Sequence, residues 1–472
     1  MGNRKKKGTT LGQLASLLRE GSLLCALFIS FAFSVLPFPG STVPTSTAAS
    51  RFLDSALTRS DRTDAAIVST ATREGRLAVF DDAWSTINSL YYDSEFHGLA
   101  RGQDWNAQRT VFRSQAADAN SSQELYAVLR RMIASLNDPH TRIYPPEEKF
   151  DWWRPRFVSI GIVVREIRGL PTVVQVERDS APQRDGVRAG DVIETVDGTP
   201  ALSLINRRLD NSTVSANLST RLRAFAKLLE GPAGTLVDVG WKRKDGSDRS
   251  AQFRRYWQQR DLGLRVRREK DDYAVLEMDG FTKAIAADFA RGLAEKISGA
   301  RGVIIDLRGN GGGDAEAMSD IASAFLGDGF NLGQFTDRNG SSFTIITRSR
   351  SLFMAERIAQ TKLPLVVLTS ERTSSAAEIF VAALKADRRA TIIGTETCGC
   401  VLAIRTRHTL PDGGVLDISE LDYETATGAR LEGHGVKPDE TVVVERNDLY
   451  AGRDRAMDLA VSKLTRLETL VH

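Results

Sequence analysis

Ser374 and Ser375 stand where an apolar run, PLVVLTS at 364–370, gives way to SSAAEIFVAALK, a segment with helical spacing. A serine at a helix start lies beside backbone N–H groups that have no intrahelical acceptor, at the positive end of the helix dipole. An oxyanion formed by attack of Ser375 would be stabilised there by the amide of Ala376. The same position also suits a plain helix cap, a role in which serine is common. A second apolar run, VIIDLRGNGGGD at 303–314, ends in Asp306, Arg308, Asn310 and a run of glycines. Glycines at the C-terminal end of a buried strand let a substrate backbone approach closely and leave N–H donors open. No Lys-Ser/Thr pair follows them, which counts against a nucleoside-triphosphate loop.

These segments belong to a region in which strands and helices alternate. Ala274–Met278, Gly302–Leu307, Leu363–Leu368 and Thr391–Gly394 read as strands, and Ala284–Ile297, Ala315–Phe325 and Ala376–Lys385 as helices. Such alternation predicts an α/β layer with mostly parallel pairing, and in an open sheet of that kind ligands bind at the C-terminal strand ends. Upstream, apolar residues recur at helical spacing between Leu77 and Ile143, interrupted at Ala119–Ser122 and stopped by Asn137-Asp138-Pro139-His140. Between these regions lie Val- and Ile-rich runs at Phe157–Val164, Thr172–Val176, Val192–Val196 and Leu236–Trp241, with one helical stretch at Thr220–Leu229. The expected divisions are 1–50, 51–150 (helical), 151–250 (β-rich) and 251–465 (α/β core).

The basic and acidic residues, 63 and 60, nearly balance, so no extended field favours nucleic acid. The only concentrated basic run, Arg4 to Lys7, precedes the apolar stretch Leu23–Phe38 and a small-residue exit, STVPTSTAAS. That order of parts is the order of an export signal, either cleaved or retained as a membrane anchor through residues 23–38. An exported protein of this kind would work in the periplasm or an equivalent extracytoplasmic or lumenal compartment. Three cysteines occur, Cys25 within the apolar stretch and Cys398 and Cys400 one residue apart. No disulfide framework is expected from them. The scattered histidines suggest no metal site, and no cofactor is implied.

Two resemblances follow from the motifs. SIGIVV at 159–164 and SAPQRDGVRAGDVIETVDG at 180–198 resemble the signature of PDZ domains. The resemblance implies that N–H groups near Ser159, Ile160 and Gly161 receive a peptide carboxylate while the peptide adds as a strand. Across residues 80–440 the order of motifs resembles the C-terminal processing (tail-specific) serine peptidases. The matching segments are Trp84, Tyr92-Asp93, Asp104-Trp105, LNDPHTR, the PDZ-like segment, MDGF, DLRGNGGG, SSAAEIF and LEGHGVKPD. It implies a ClpP/crotonase-like α/β core with an inserted PDZ domain, Ser375 as nucleophile, and Gly312 with Ala376 as oxyanion donors. The implied partners are polypeptides with accessible C-termini.

The sequence departs from that family at its general base. The family lysine position is occupied by Cys400 in GTETCGCV, and the supporting glutamine position by Ile404. The tricorn-like relatives of the same superfamily offer another assignment, in which NDPHT supplies His140 as base and the LEG segment supplies Glu432. A Ser375–His140–Glu432 set follows ordinary triad logic. Against this stand bland roles, His140 as a local helix terminator and Glu432 as an ion-pair partner of Arg308. Two readings therefore remain. One is an exported serine endopeptidase with an altered base; the other is a non-catalytic peptide-binding or chaperone-like protein on the same scaffold.

Overall fold

A computed structural model describes residues 67–99, 103–148, 156–210, 218–269, 272–349 and 358–469. The apolar stretch 23–38 lies outside the described residues. Within the described residues, no helix is long and apolar enough to cross a membrane.

Three helices open the described chain: α1 (Arg73–Leu90), α2 (Trp105–Asp118) and α3 (Ser122–Ala134). Each starts at a side-chain cap, with Thr72, Asp104 and Ser121 accepting the N–H groups of Gly75, Ala107 and Glu124. Their facing sides bury Val79, Phe80, Ile87, Leu125, Leu129 and Met132. The chain turns at Asn137, which has a positive φ of 56°, and enters a short strand, Arg142–Tyr144. That strand pairs antiparallel with Val415–Asp417, with Arg142 opposite Asp417. The helical region is thereby tied to a segment almost three hundred residues away, a pairing that helical periodicity does not reveal.

The β-rich part forms an antiparallel sheet in the order β1 (Ile162–Ile167), β2 (Leu170–Val176), β3 (Val192–Val196), β4 (Leu236–Lys242) and β5 (Asp248–Arg254). The expected single strand Phe157–Val164 is instead two. Arg156–Ser159 pairs with Tyr256–Gln259, the chain bends at Gly161 (φ +86°), and β1 then joins the other sheet as its edge. Helix α4 (Leu218–Ala226) packs against β1. Ile160, Val164, Val173, Phe225 and Trp241 fill the space between.

The central sheet runs β6 (Leu264–Glu269), β7 (Tyr273–Met278), β8 (Gly302–Asp306), β9 (Leu365–Thr369), β10 (Thr391–Gly394) and β11 (Glu440–Thr441). Only the β6–β7 pairing is antiparallel. Successive side chains point to opposite faces, so Leu276, Val303, Ile305 and Val367 pack against α5 (Lys283–Lys296), α6 (Ala315–Leu326) and α7 (Ala376–Ala386). Val275, Ile304, Val366 and Leu368 face α8 (Arg455–Thr469) through Met457, Ala460 and Leu464. Burial on both faces explains why these strands read as continuous apolar runs. Complete burial of each such side chain contributes roughly 1.5–3 kcal/mol.

Candidate active site

The turns after β8 and β9 leave the same edge of the sheet and are joined to each other. Ser370 Oγ donates to Arg308 O (2.7 Å), Thr373 Oγ1 to Leu307 O (2.8 Å) and Ser374 N to Asn310 O (3.1 Å). Arg308 is held in turn by Asp306 and Asp454. Glu432 is therefore not its partner, contrary to one expectation from the sequence; the two aspartates are nearer and take the guanidinium.

Ser375 is the N-cap of α7, with φ 57° and ψ −129°. That region is disfavoured for a residue with a Cβ and persists only where surrounding bonds impose it. The bonds are identifiable. The Ser375 N–H donates to Cys400 O (2.8 Å) and to Glu378 Oε2 (3.1 Å). A Cβ placed on Gly312 (φ +89°) would lie 2.7 Å from Ser375 Cβ and 3.0 Å from Ala376 N. Only a glycine backbone fits that close to the serine. The Ala376 amide has no protein acceptor among the described residues, as an oxyanion donor requires. The Gly312 amide donates to Asn310 Oδ1 (2.8 Å) and must leave it before it can serve another acceptor.

Glu378 is the residue whose importance the motif concealed. Its side chain is fully buried and accepts from Thr397 Oγ1 (2.6 Å), Gly399 N (2.7 Å), Cys400 N (2.9 Å) and Ser375 N (3.1 Å). Burial raises its pKa above the ordinary value, and these donors oppose the rise. The glutamate three residues into α7 has the spacing of a capping box, which is the one sequence signal that pointed to it.

Cys400 is not a thiol. Gly399, at φ +67°, turns the chain so that the Cα atoms of Cys398 and Cys400 lie 5.2 Å apart, and the two residues form a disulfide. Their adjacency had suggested no such bond. Position 400 thus carries a closed disulfide, without a proton-accepting side chain.

Glu432 comes to the same segment from the other side. Its Oε2 accepts from Val401 N (2.7 Å) and Leu402 N (3.2 Å). Burial pushes its pKa up to about 7, opposed by the nearby His140 and by these two amides. His140 is mostly buried, with a side-chain exposure of 12%. Its backbone N–H and that of Thr141 are held by Asp138, and Thr141 Oγ1 accepts from Ser419 N (3.1 Å). The His140 Nδ1 lies 3.7 Å from Asp138 Oδ1 and makes no hydrogen bond. His140 and Glu432 are thus brought within electrostatic reach, and Glu432 binds the residues next to Cys400, whose carbonyl holds Ser375. Among the described residues, no three His, Cys, Asp or Glu side chains converge as a metal site.

Ser159, Ile160 and Gly161 lie at the bend that feeds edge strand β1. Ile160 is buried, and the Gly161 N–H donates to Ser159 Oγ (2.9 Å). The β-rich module touches the rest of the chain through Arg446 Nε to Gly190 O (2.9 Å) and Tyr450 Oη to Asp191 (3.0 Å). On β1, Arg165 is desolvated, which lowers its pKa, and it feels the charges of Glu371 and Arg308.

Comparison with known proteins agrees with this geometry. Residues 272–442 match Peptidase family S41, and residues 73–134 match the Tricorn protease C1 domain. The chain is 26% identical over 381 residues to carboxyl-terminal-processing peptidase 1, chloroplastic, of Arabidopsis thaliana, covering 78% of this chain and 71% of that protein. It is 27% identical over 371 residues to a carboxyl-terminal-processing protease of Synechocystis, covering 76% and 79%. The fold is similar to that of the photosystem II D1 C-terminal processing protease (TM-score 0.51, 24% identity, 78% of this chain and 93% of that one). It is also similar to mature CPAF (TM-score 0.61, 15% identity, 84% and 97%). The serine turn and the glycine turn thus lie within a Peptidase family S41 domain, residues 272–442, of a chain similar over about three quarters of its length to carboxyl-terminal-processing peptidases.

Proposed function

We propose that this chain is an exported serine endopeptidase that grips polypeptide C-termini and cleaves upstream through an acyl-enzyme on Ser375. The observation that carries the reading is the strained Ser375 backbone, with the Gly312 turn against it and the Ala376 amide open. In the proposed mechanism His140 takes the Ser375 proton as the hydroxyl attacks the scissile carbonyl. Ionised Glu432 stabilises the imidazolium so formed. The oxyanion is bound by the Ala376 amide and by the Gly312 amide, which exchanges Asn310 Oδ1 for the substrate. Protonated His140 then releases the leaving amine, and water hydrolyses the ester.

The PDZ-type assignment of the β-rich module rests on β1 as an open sheet edge beside α4, with the Ser159–Gly161 bend at its start. A peptide carboxylate would dock at the bend and its backbone would extend β1. Export rests on the order of basic run, apolar stretch 23–38 and small-residue exit.

The test is to incubate the full chain with an unstructured polypeptide and compare the parent with Ser375→Ala, His140→Ala and Glu432→Gln. Loss of cleavage in the first two and a reduced, pH-altered rate in the third is the expected result. Undiminished cleavage by Ser375→Ala overturns the mechanism. A parent that binds C-terminal peptides but cleaves nothing at any pH would instead be a peptide-binding protein.

A further inference from the structure

The segment Thr397–Leu402 holds three parts of the site together. Its Cys400 carbonyl takes the Ser375 N–H, its Gly399 and Cys400 amides bind Glu378, and its Val401 and Leu402 amides bind Glu432. Neighbouring bonds dock it in place: Cys398 N to Thr373 O (3.0 Å) and Gly433 N to Gly399 O (2.8 Å). The Cys398–Cys400 disulfide closes a small ring within this segment. Its two ends differ in access. Cys400 is 5% exposed, whereas Cys398 is partly exposed and lines an open-mouthed cavity of about 380 Å³ together with Glu396, Gly433, His434 and Lys437.

We propose that the Cys398–Cys400 disulfide is a thiol-exchange site, entered at Cys398, whose reduction by a small dithiol releases the segment that positions Ser375. In the first step one thiolate of the dithiol attacks Cys398 Sγ through the cavity. A mixed disulfide forms, the Cys398–Cys400 bond breaks, and Cys400 leaves as a thiolate that takes up a proton. In the second step the other thiol of the reagent attacks its own sulfur in the mixed disulfide. Cys398 is released as a thiol and the dithiol becomes a cyclic disulfide, so two electrons pass from reagent to protein. Attack at Cys400 is blocked by its burial. Without the ring, Gly399 no longer has its φ constrained by two bonded flanking residues. The amides that meet Glu378 and the carbonyl that meets Ser375 then lose their fixed spacing.

The activity arm of this inference rests on Ser375 as nucleophile; the exchange arm does not. The full chain is compared as isolated without reductant, after dithiothreitol, and after reoxidation, beside a Cys398→Ser/Cys400→Ser variant. Under denaturing alkylation the oxidised chain should label at Cys25 alone and the reduced chain at all three cysteines. Backbone deuterium exchange in fragments spanning 372–402 should rise on reduction and return on reoxidation. Cleavage of the unstructured polypeptide should fall by roughly 10- to 100-fold, the range expected for small misplacement of a nucleophile, and recover. The variant should match the reduced chain and ignore dithiothreitol. Three labelled cysteines before reduction, or unchanged exchange after verified reduction, overturns the inference. So does full cleavage by the reduced chain. Raised exchange with no cleavage in any redox state would leave the thiol-exchange site standing and defeat the serine-peptidase reading.

Discussion

The backbone N–H of Ser375 donates to the carbonyl of Cys400 at 2.8 Å. Ser375 is thus bound by the main chain of Cys400, while that residue's side chain is closed in a disulfide. In the proposed mechanism the base comes from elsewhere, and His140 lies within electrostatic reach of Glu432.

Ser375→Ala should lower cleavage by ~10⁴-fold or more, the scale seen when a serine nucleophile is removed. Peptide binding, read by fluorescence anisotropy with a labelled C-terminal peptide, should persist, because Ser375 lies outside the β1 edge.

Glu432 gives the pH dependence. Its carboxyl pKa is raised from 4.5 to about 7 in the folded protein. Below pH 4.5 both folded and unfolded states are protonated, so the group has no effect on stability. Between about 4.5 and 7 the folded state holds the extra proton, and stability falls as pH rises, by at most about 3 kcal/mol. Glu432→Gln should remove this decline in thermal melts taken from pH 4 to 8. In the parent, kcat/KM should rise through pH 7 as Glu432 ionises and supports the imidazolium, and the variant should lose that limb.

Glu378→Ala would strand the buried amides of Ser375, Gly399 and Cys400 and the Thr397 hydroxyl. The loss should be about 3 kcal/mol or more, seen as a fall in Tm of roughly 5 °C. Glu378→Gln keeps the volume and one acceptor, so its Tm should fall less while cleavage still drops. Equal Tm values for the parent and the alanine variant would refute the clamp.

Gly312→Ala places a Cβ 2.7 Å from both Ser374 O and Ser375 Cβ at a positive φ. The serine turn must move, and cleavage should fall by ~10²-fold with little loss of peptide binding. A variant with parental kcat would show that the glycine turn does not abut the reacting atoms.

Gly161→Ala should act in the opposite sense. A Cβ there meets Ser180 Cβ at 2.9 Å and Tyr256 Oη at 3.1 Å, again at positive φ. KM for a polypeptide with a free C-terminus should rise, while kcat stays near the parental value. An unchanged KM would remove the bend from the proposed carboxylate site.

The core strands were legible because both faces are buried: Val303–Ile305 and Leu365–Leu368 are apolar without interruption, and helix-period segments lie between them. The turns that bear Ser375 and Gly312 were legible for the same reason, since each ends such a strand. What escaped was decided by distant partners. The pairing of Arg142–Tyr144 with Val415–Asp417, which sets His140 in place, leaves no local pattern. The strand Phe157–Val164 was read as one because its β-branched residues continue across a bend that only Gly161 announces. Asp454, not Glu432, holds Arg308, an outcome fixed by where α8 begins. The disulfide was missed because two cysteines separated by one residue close only when the glycine between them adopts a left-handed turn.

The salt bridge between Arg308 and Asp454 joins the glycine turn to the start of α8, and α8 supplies one whole covering for the central sheet. Until Asp454 and residues 455–469 are in place, one face of β7, β8, β9 and β10 is bare and the arginine behind the glycine turn lacks its second carboxylate. The glycine turn therefore depends for part of its support on a segment far downstream of it.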